Sequence, residues 1–515
     1  MKLVKATSFY IFILIAAGFI FYGHTLGFSL SPLDDYELFV KKMDWLEHIS
    51  NLPALFTGSL DSTVNAPYYR PILMSSFMAD AIIGQGNLLM FHLTNLMIHI
   101  SVSILVFIFF QQLNFSRTLS LFWSLLFLAH PIHVTAVAWL PGRNDSLLTL
   151  FSLTAVVSLI QYYRSPRIRW LIIHVISFIL ATYTKEQGIL LLFIFGLIAY
   201  HFRLKLSVKQ LLVLWFISCF LFLIPHKLIM TGGFILNIDS YNSYFSDCAA
   251  GFVISIGKLG LPIYQSVLPT ILDTPLWPGL IVSLFMAMGV IFSGIRNKGI
   301  FIFGLAWYML TISLPLLWGA LQGEYFEHRL YLPSVGFFLM ISQLKIFEGS
   351  DKKYQPLLIL GMIILMMSLG TKTWRRSQIY RDELSFATAA VQESPSHDNA
   401  YYLLGNVHRS HRNWEKSIVA YDMAIALNPR FADAINNRGD TFLKLKSFAL
   451  ALKDFNLVLA IKPNNLSVIN NRAVTYYFLK EYNLAWKDVR YILDHGGKVH
   501  PDFLVALSDQ TGEFP

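Results

Sequence analysis

Charge is what this sequence has least of. Only 14% of its 515 residues are Asp, Glu, Lys or Arg, against about a quarter in an ordinary soluble domain. Hydrophobic residues make up 55%, and the mean hydropathy is +0.53. A soluble globular protein is thereby excluded for most of the chain. Cysteine is nearly absent: Cys219 and Cys248 are the two present, and they form no metal-ligand spacing. A small-residue cleavage site is missing after the first apolar run, although Lys2 and Lys5 give it the basic start of a signal peptide. That run is about 20 residues, too long for a signal core, and reads as an uncleaved first span. A strong acidic or basic field is missing too. The net charge of +9 comes from Lys and Arg gathered in short loops, as a positive-inside bias requires, so nucleic acid is not an expected partner.

What is present divides at about residue 372. Apolar stretches of spanning length fall near 8–28, 88–110, 118–138, 146–163, 168–184, 187–202, 208–229, 277–295, 299–318, 330–347 and 355–372. These eleven predict a polytopic helical domain over 1–372. The stretch 249–270 is interrupted by Lys258, Pro262 and Gln265 and is read as interfacial or re-entrant. With the amino terminus inside, Arg117, Arg164, Arg167, Arg169, Arg203, Lys205, Lys209, Arg296, Lys298, Lys345, Lys352 and Lys353 all fall in inner loops. Counting 249–270 as a span would spoil that pattern, which otherwise leaves residues 373–515 on the outer side.

The outer connections collect the unusual residues. A long first loop, 29–87, carries "SPLDDY" and "YYRP". "AHPIHVTAVAWLPGRND" closes the third span, "TYTKEQG" joins the fifth and sixth, and "EYFEHRLYLP" opens the tenth. Together they supply Asp34, Asp35, Arg70, His130, His133, Arg143, Asp145, Lys185, Glu186, Glu327, His328 and Arg329. Ionisable groups beside apolar spans are functional candidates by default, and these are expected to line one outward-facing wet cavity. Each has a plainer reading. Lys185 and Arg329 can snorkel at the interface. His130 and His133 suit helix ends better than a metal. His92 and His99, seven apart on one helix face, suit helix packing.

Residues 373–515 repeat. Gly405 recurs as Gly439, Tyr421 as Phe455 and Pro429 as Pro463, each 34 residues later. A third copy continues through Ala473, Tyr476, Ala485 and Val489. Small residues where two helices touch, large ones between and a closing proline make the tetratricopeptide pattern. Repeats are predicted at 398–431, 432–465 and 466–499, after a half-repeat at 382–397. The fold class is therefore all-α, a helical membrane domain followed by an α-solenoid. Asn406, Asn436, Asn437, Arg438, Asn470, Asn471 and Arg472 on the repeat faces suit a bound polypeptide.

With these motifs in order, the chain resembles the transmembrane-and-TPR-containing O-mannosyltransferases of the GT-C class. The resemblance rests on "DD" after the first span, "YRPILMSSF", "HPIHVTAVAWLPGRNDSL", "TKEQGI", "EHRLYLPSVGF" and the repeat tail. Two features depart from animal members: His328 stands between Glu327 and Arg329, and there are about three repeats. Both point to a bacterial relative. The resemblance implies inverting transfer of a sugar, mannose in the family, from a polyprenyl- or dolichyl-phosphate donor to a protein Ser or Thr. It makes Asp34 and Asp35 the catalytic carboxylates. The donor phosphate and substrate would be held by Arg329, Lys185, Arg143, Arg70, Glu186, His133, Asp145 and Tyr331. No organic cofactor is implied, and a divalent metal is one role for the second Asp. The partners would be a lipid-linked sugar in the membrane and a polypeptide on the repeats. The location would be a bacterial inner membrane with the repeats outside, or alternatively an endoplasmic-reticulum membrane with lumenal repeats. An envelope oligosaccharide ligase or polymerase, and a membrane-anchored repeat scaffold, are the competing readings. A transporter is disfavoured because no matched hydrophobic halves occur.

Overall fold

A computed structural model describes residues 2–33, 35–57, 69–201, 241–345 and 355–513, with 213, 215, 216 and 220. The chain divides into two compact units, Met1–Phe386 and Ala387–Pro515. Among the described residues the secondary structure is helical, apart from a single antiparallel bridge between Ile295 and Leu344.

In the first unit, four helices are long and apolar enough to cross a membrane: Thr7–Gly27, Leu88–Gln112, Leu140–Arg164 and Lys298–Leu321. Arg117–Ala129 and Pro131–Ala138 are apolar together and meet at a 48° bend, the form of a broken span or a re-entrant loop. A residue before proline avoids the helical region, and His130 is extended there (φ −74°, ψ 124°). Pro71–Gly84, Ile168–Thr184, Glu186–Tyr200 and Trp277–Ser293 are shorter apolar helices. The chain is thus a multi-pass membrane protein, with its spans cut into shorter pieces than eleven uninterrupted runs would give. The predicted 208–229 span lies almost wholly outside the described residues. The 330–347 stretch gives a helix over Tyr331–Ile341, and 355–372 falls within Gln355–Ser377.

Residues 249–260 form the second half of a helix, Tyr241–Gly260, with Ile254, Ile256, Lys258 and Leu259 buried, and this helix is not among those long and apolar enough to cross a membrane. Glycine permits its packing: a Cβ on Gly279 would clash with the Val253 carbonyl oxygen. Lys258 within it is matched by a carboxylate described below. The described part of the first outer loop contains further helices. Pro71 opens the Pro71–Gly84 helix at the position where a missing N–H is harmless. Phe39, Leu46, Leu55, Leu73 and Phe77 then bury themselves against Phe91 and Leu140.

The second unit contains three helix pairs: Asp398–Ser410 with Trp414–Leu427, Ala432–Lys444 with Phe448–Ile461, and Leu466–Phe478 with Tyr482–Asp494. Pro501–Thr511 follows as a last helix. The turn within each pair puts a non-glycine residue at positive φ, Arg412, Lys446 and Lys480, again 34 residues apart. Gly405 faces Tyr421 so closely that a Cβ would lie 2.5 Å from its ring. Arg438 and Arg472 each make a two-pronged bond to a buried aspartate, Asp454 and Asp488, at 2.7–2.8 Å. The contact boundary after Phe386 lies beyond the 372/373 division expected from hydropathy. Helix Gln355–Ser377 and the turn after it belong to the first unit, where Thr373 donates to the Ala129 carbonyl and Tyr380 bonds Thr135.

Candidate active site

The outer connections fold as tight turns, and two glycines set their geometry. A Cβ on Gly142 would stand 2.3 Å from the Thr135 carbonyl oxygen, and one on Gly188 would stand 2.7 Å from the Thr182 nitrogen. The first glycine lets "PGRND" turn into helix Arg143–Arg164, so that Asp145 sits in its first turn. A carboxylate is favoured there by the helix dipole. The second lets "TKEQG" double back with Lys185 extended (φ −158°, ψ 142°). Lys185 Nζ then donates to both Asp145 oxygens, at 2.7 and 2.8 Å, and both side chains are buried.

Two more connections reach this pair, the turn that carries His328 and Arg329 and the first outer loop with Arg70. His328 Nε2 is 3.9 Å from Asp145 Oδ2, and the His328 ring stacks on Phe326 and lies 5.4 Å from that of Trp139. Arg329 lies over the Phe326 ring at 5.1 Å. Arg70 pairs with Glu186 at 3.1 Å. Burial pushes His328 well below its ordinary range, and the charges of Lys185, Arg329 and Arg70 push the same way, so the imidazole is neutral at pH 7. Burial likewise lowers Lys185 to about 8 against the opposing pull of Asp145, with Arg70 and Arg329 adding to the depression. The cluster therefore brings together three cations, Arg70, Lys185 and Arg329, and two carboxylates, Asp145 and Glu186. Guanidinium and ammonium groups gathered in a buried, partly aromatic setting suit charge-assisted bonds to an anionic ligand.

Other predicted residues lie elsewhere or do other work. Arg143 is fully buried. It pairs with Asp80 at 2.5 Å, donates to Asn95, Ser76 and the Phe91 carbonyl, and lies over the Phe77 ring. Its donors are taken up in joining the Pro71–Gly84 helix to its neighbours. His133 Nδ1 donates to the Phe127 carbonyl, its Nε2 lies 3.0 Å from Ser334 Oγ, and Tyr331 bonds His99 at 2.5 Å. These form an interior network of rings. His130 bonds Leu259 O and caps Ile132 N, as a helix-end histidine would. Asp35 is buried, with Oδ2 accepting the Ser31 N–H at 2.7 Å. Asp34 lies outside the described residues. Among the described residues, no three metal-ligating side chains come together.

Sequence reasoning named Glu327 as a cavity residue but missed its partners, which make a second buried group. Glu327 accepts from Lys258 at 2.9 Å and from the Ser266 N–H at 2.8 Å, with Arg376 3.6 Å away. It anchors the turn that carries His328 and Arg329. It also missed Asp80 and Trp139. Asp80 had a usable signal, a lone carboxylate inside an apolar helix.

No family model matches the chain. Over 72% of its length it is 25% identical to the protein O-mannosyl-transferase F38B6.6 of Caenorhabditis elegans, covering 56% of that protein. It is 24% identical to the human protein O-mannosyl-transferase TMTC3 over 73% of its length, covering 46% of that protein. Mouse TMTC1, also a protein O-mannosyl-transferase, is 35% identical over 109 residues. The chain spans about half the length of the first two relatives. Its curated homologues are thus the TMTC family of protein O-mannosyltransferases, which it resembles through most of its length.

Proposed function

We propose that the chain is a membrane glycosyltransferase that moves a sugar, mannose by analogy with its relatives, from a polyprenyl- or dolichyl-phosphate to a Ser or Thr of a polypeptide. The observation that carries this is the cationic cluster assembled from Arg70, Lys185 and Arg329 on separate outer connections. In the reaction the acceptor hydroxyl attacks the anomeric carbon as the bond to the phosphate oxygen breaks. A carboxylate of the Asp34–Asp35 pair takes the hydroxyl proton. The lipid phosphate leaves with the bonding electrons, and Arg329, Lys185 and Arg70 take up its charge. Single displacement inverts the sugar configuration and needs no covalent enzyme intermediate. Arg329 contributes a planar fork that matches two phosphate oxygens. Lys185, held by Asp145, acts as a point charge.

The repeat unit would present the polypeptide on the outer side of a bacterial inner membrane. Support comes from the asparagines of its faces, which bond one another across repeats: Asn437 to Asn406 at 2.9 Å and Asn471 to Asn436 at 3.4 Å. Their amides suit the backbone of an extended peptide.

The test is purified full-length protein in lipid nanodiscs, given a panel of polyprenyl-phosphate sugars and Ser/Thr-rich peptides. Glycopeptide is read by mass spectrometry. Wild type should modify peptide with one lipid-phosphate sugar, and Asp35→Asn or Asp34→Asn should reduce the rate about a hundred- to ten-thousandfold. Full activity in both variants would remove the aspartates from the chemistry. Transfer from a nucleotide sugar in place of a lipid-phosphate donor would overturn the donor assignment.

A further inference from the structure

Two ring nitrogens beside the ionic cluster have no use in the fold. Trp139 and His328 are 7% and 5% exposed, and their ring centroids lie 5.4 Å apart. Among the described residues, neither Trp139 Nε1 nor His328 Nδ1 has a hydrogen-bond partner. Both side chains come from turns that build the cluster. Trp139 is extended (φ −86°, ψ 124°) just before the Leu140–Gly142 turn, and its carbonyl accepts the Gly142 N–H. His328 stands in the Glu327–Leu330 turn with its ring stacked on Phe326.

The two nitrogens are of opposite kind. An indole N–H can only donate. The neutral imidazole carries one proton, and the Asp145 carboxylate 3.9 Å from Nε2 favours it there, which leaves Nδ1 as an acceptor. A buried polar group without a partner is costly and calls for an explanation. A phosphodiester does not supply one, because it has no proton to give to Nδ1. A ligand bearing hydroxyls does, since each hydroxyl both accepts and donates. The rings of Trp139, His328 and Phe326 add apolar faces beside the two nitrogens. Small-molecule sites combine aromatic walls with a few placed polar groups in this way.

We propose that Trp139 and His328 form the subsite for the sugar ring of the lipid-phosphate donor. The indole N–H donates to one ring hydroxyl, and His328 Nδ1 accepts the O–H of another. This rests on the glycosyltransferase reading above and adds to it the residues that select the sugar. Both are specificity-determining residues and move no proton. A donor that lacks the matching hydroxyl leaves a buried nitrogen unpaired, which is how a polar site rejects a deoxygenated analogue.

The experiment titrates full-length protein in detergent with polyprenyl-phosphate-mannose and with bare polyprenyl phosphate, counting retained lipid by native mass spectrometry. Trp139→Phe and His328→Phe should each cut retention of the mannosyl lipid about ten- to a hundredfold, and that of the bare phosphate far less. His328→Asn, which keeps an acceptor near the place of Nδ1, should recover part of the loss. Among singly deoxygenated mannosyl lipids, one should bind Trp139→Phe no worse than it binds wild type, because the same bond cannot be lost twice. Equal losses on both lipids would make the two rings mere supports of the phosphate cluster and overturn the proposal. Full mannosyl-lipid retention in both variants would leave the nitrogens to a bridging water and overturn it as well. So would a changed KM for peptide with lipid retention unchanged, which assigns the pair to the acceptor. Sugar-selective retention without transfer to peptide supports the subsite and refutes the transferase. Transfer by wild type, with sugar selectivity intact in both variants, does the reverse.

Discussion

Replacing Asp145 by Asn tests how the cluster tolerates a buried lysine. Asp145 supplies both short bonds to Lys185 Nζ, and the neutral His328, 3.9 Å from Asp145, brings no compensating charge. Breaking a buried ion pair commonly costs about 3–5 kcal/mol, because one charge is stranded. Lys185 has a way out. Its folded pKa, about 8, already lies below the unfolded value near 10.5, so the fold carries about 3 kcal/mol of unfavourable protonation free energy in the wild type. Losing the proton altogether at pH 7 would cost about 5 kcal/mol relative to the charged unfolded chain. The difference, about 1–2 kcal/mol, is the ceiling on what Asp145→Asn adds through the lysine at pH 7. Deprotonation wins over a stranded charge.

This argument has a pH signature. In the variant the unfolded chain binds one more proton than the fold below about pH 10, so stability rises with pH by about 1.4 kcal/mol per pH unit. In the wild type Lys185 is protonated in both states below about pH 8, and its contribution there is flat. The loss caused by Asp145→Asn should therefore grow from about 1–2 kcal/mol at pH 7 to about 3 at pH 6. Thermal unfolding in detergent reads it as a widening gap in melting temperature, about 1–2 °C per kcal/mol by the size scaling. Adding Lys185→Met should remove the slope. A loss that stays constant between pH 6 and 8 would refute deprotonation as the escape. A loss of 4 kcal/mol already at pH 8 would do the same.

Three further outcomes follow from named contacts. Arg329→Lys should slow lipid-phosphate-dependent transfer about ten- to a hundredfold while peptide binding by the repeats is unchanged, because an ammonium lacks the fork; near wild-type transfer would make Arg329 an interfacial anchor. Gly439→Ala should lower the melting temperature of the repeat unit by an overpacking cost of about 1–3 kcal/mol, since the new Cβ would meet the Phe455 ring at 2.9 Å. Arg438→Met should destabilise the same unit by about 3 kcal/mol, because it strands the buried Asp454 carboxylate, and the double variant with Asp454→Leu should recover most of that loss.

The parts legible in the sequence are those written as a period or as a chemical type. The 34-residue spacing of Gly405 and Gly439 foretells the helix pairs and even the positive-φ turns at Arg412, Lys446 and Lys480. The charged outer motifs foretell that Arg70, Lys185, Glu186 and Arg329 share a neighbourhood. Pairings were not legible, since they depend on which turn faces which. Arg143 looked as available for phosphate as Arg70, yet Asp80 stands one helix away and takes it. Lys258 looked like a bare charge in the 249–270 stretch, and its partner Glu327, 69 residues later, could not be read from its spacing. Tyr331 and His133 came with motifs that reach the cluster, but helix rotation turns them into the ring network inside.

The broken spans and the cluster have one cause. Each charged contributor from the spanning region stands in or beside a short 3-10 turn: Asp145 after Leu140–Gly142, Lys185 before Glu186–Leu190, and His328 and Arg329 within Glu327–Leu330. Irregular backbone within a membrane domain persists only where protein or a wet cavity satisfies its polar groups. Side chains of two of these turns also tie them to neighbouring elements: Gln187 donates to Thr311 O, and Glu327 accepts from the Ser266 N–H. A turn held in this way cannot relax when its charged side chain loses a partner. The cations of the cluster are consequently brought together by the fold itself, and the phosphate proposed to bind there would need little further ordering of the backbone. Continuous helices would have carried the same residues away from one another along separate axes. The interruptions that shorten the spans are therefore what assemble the site.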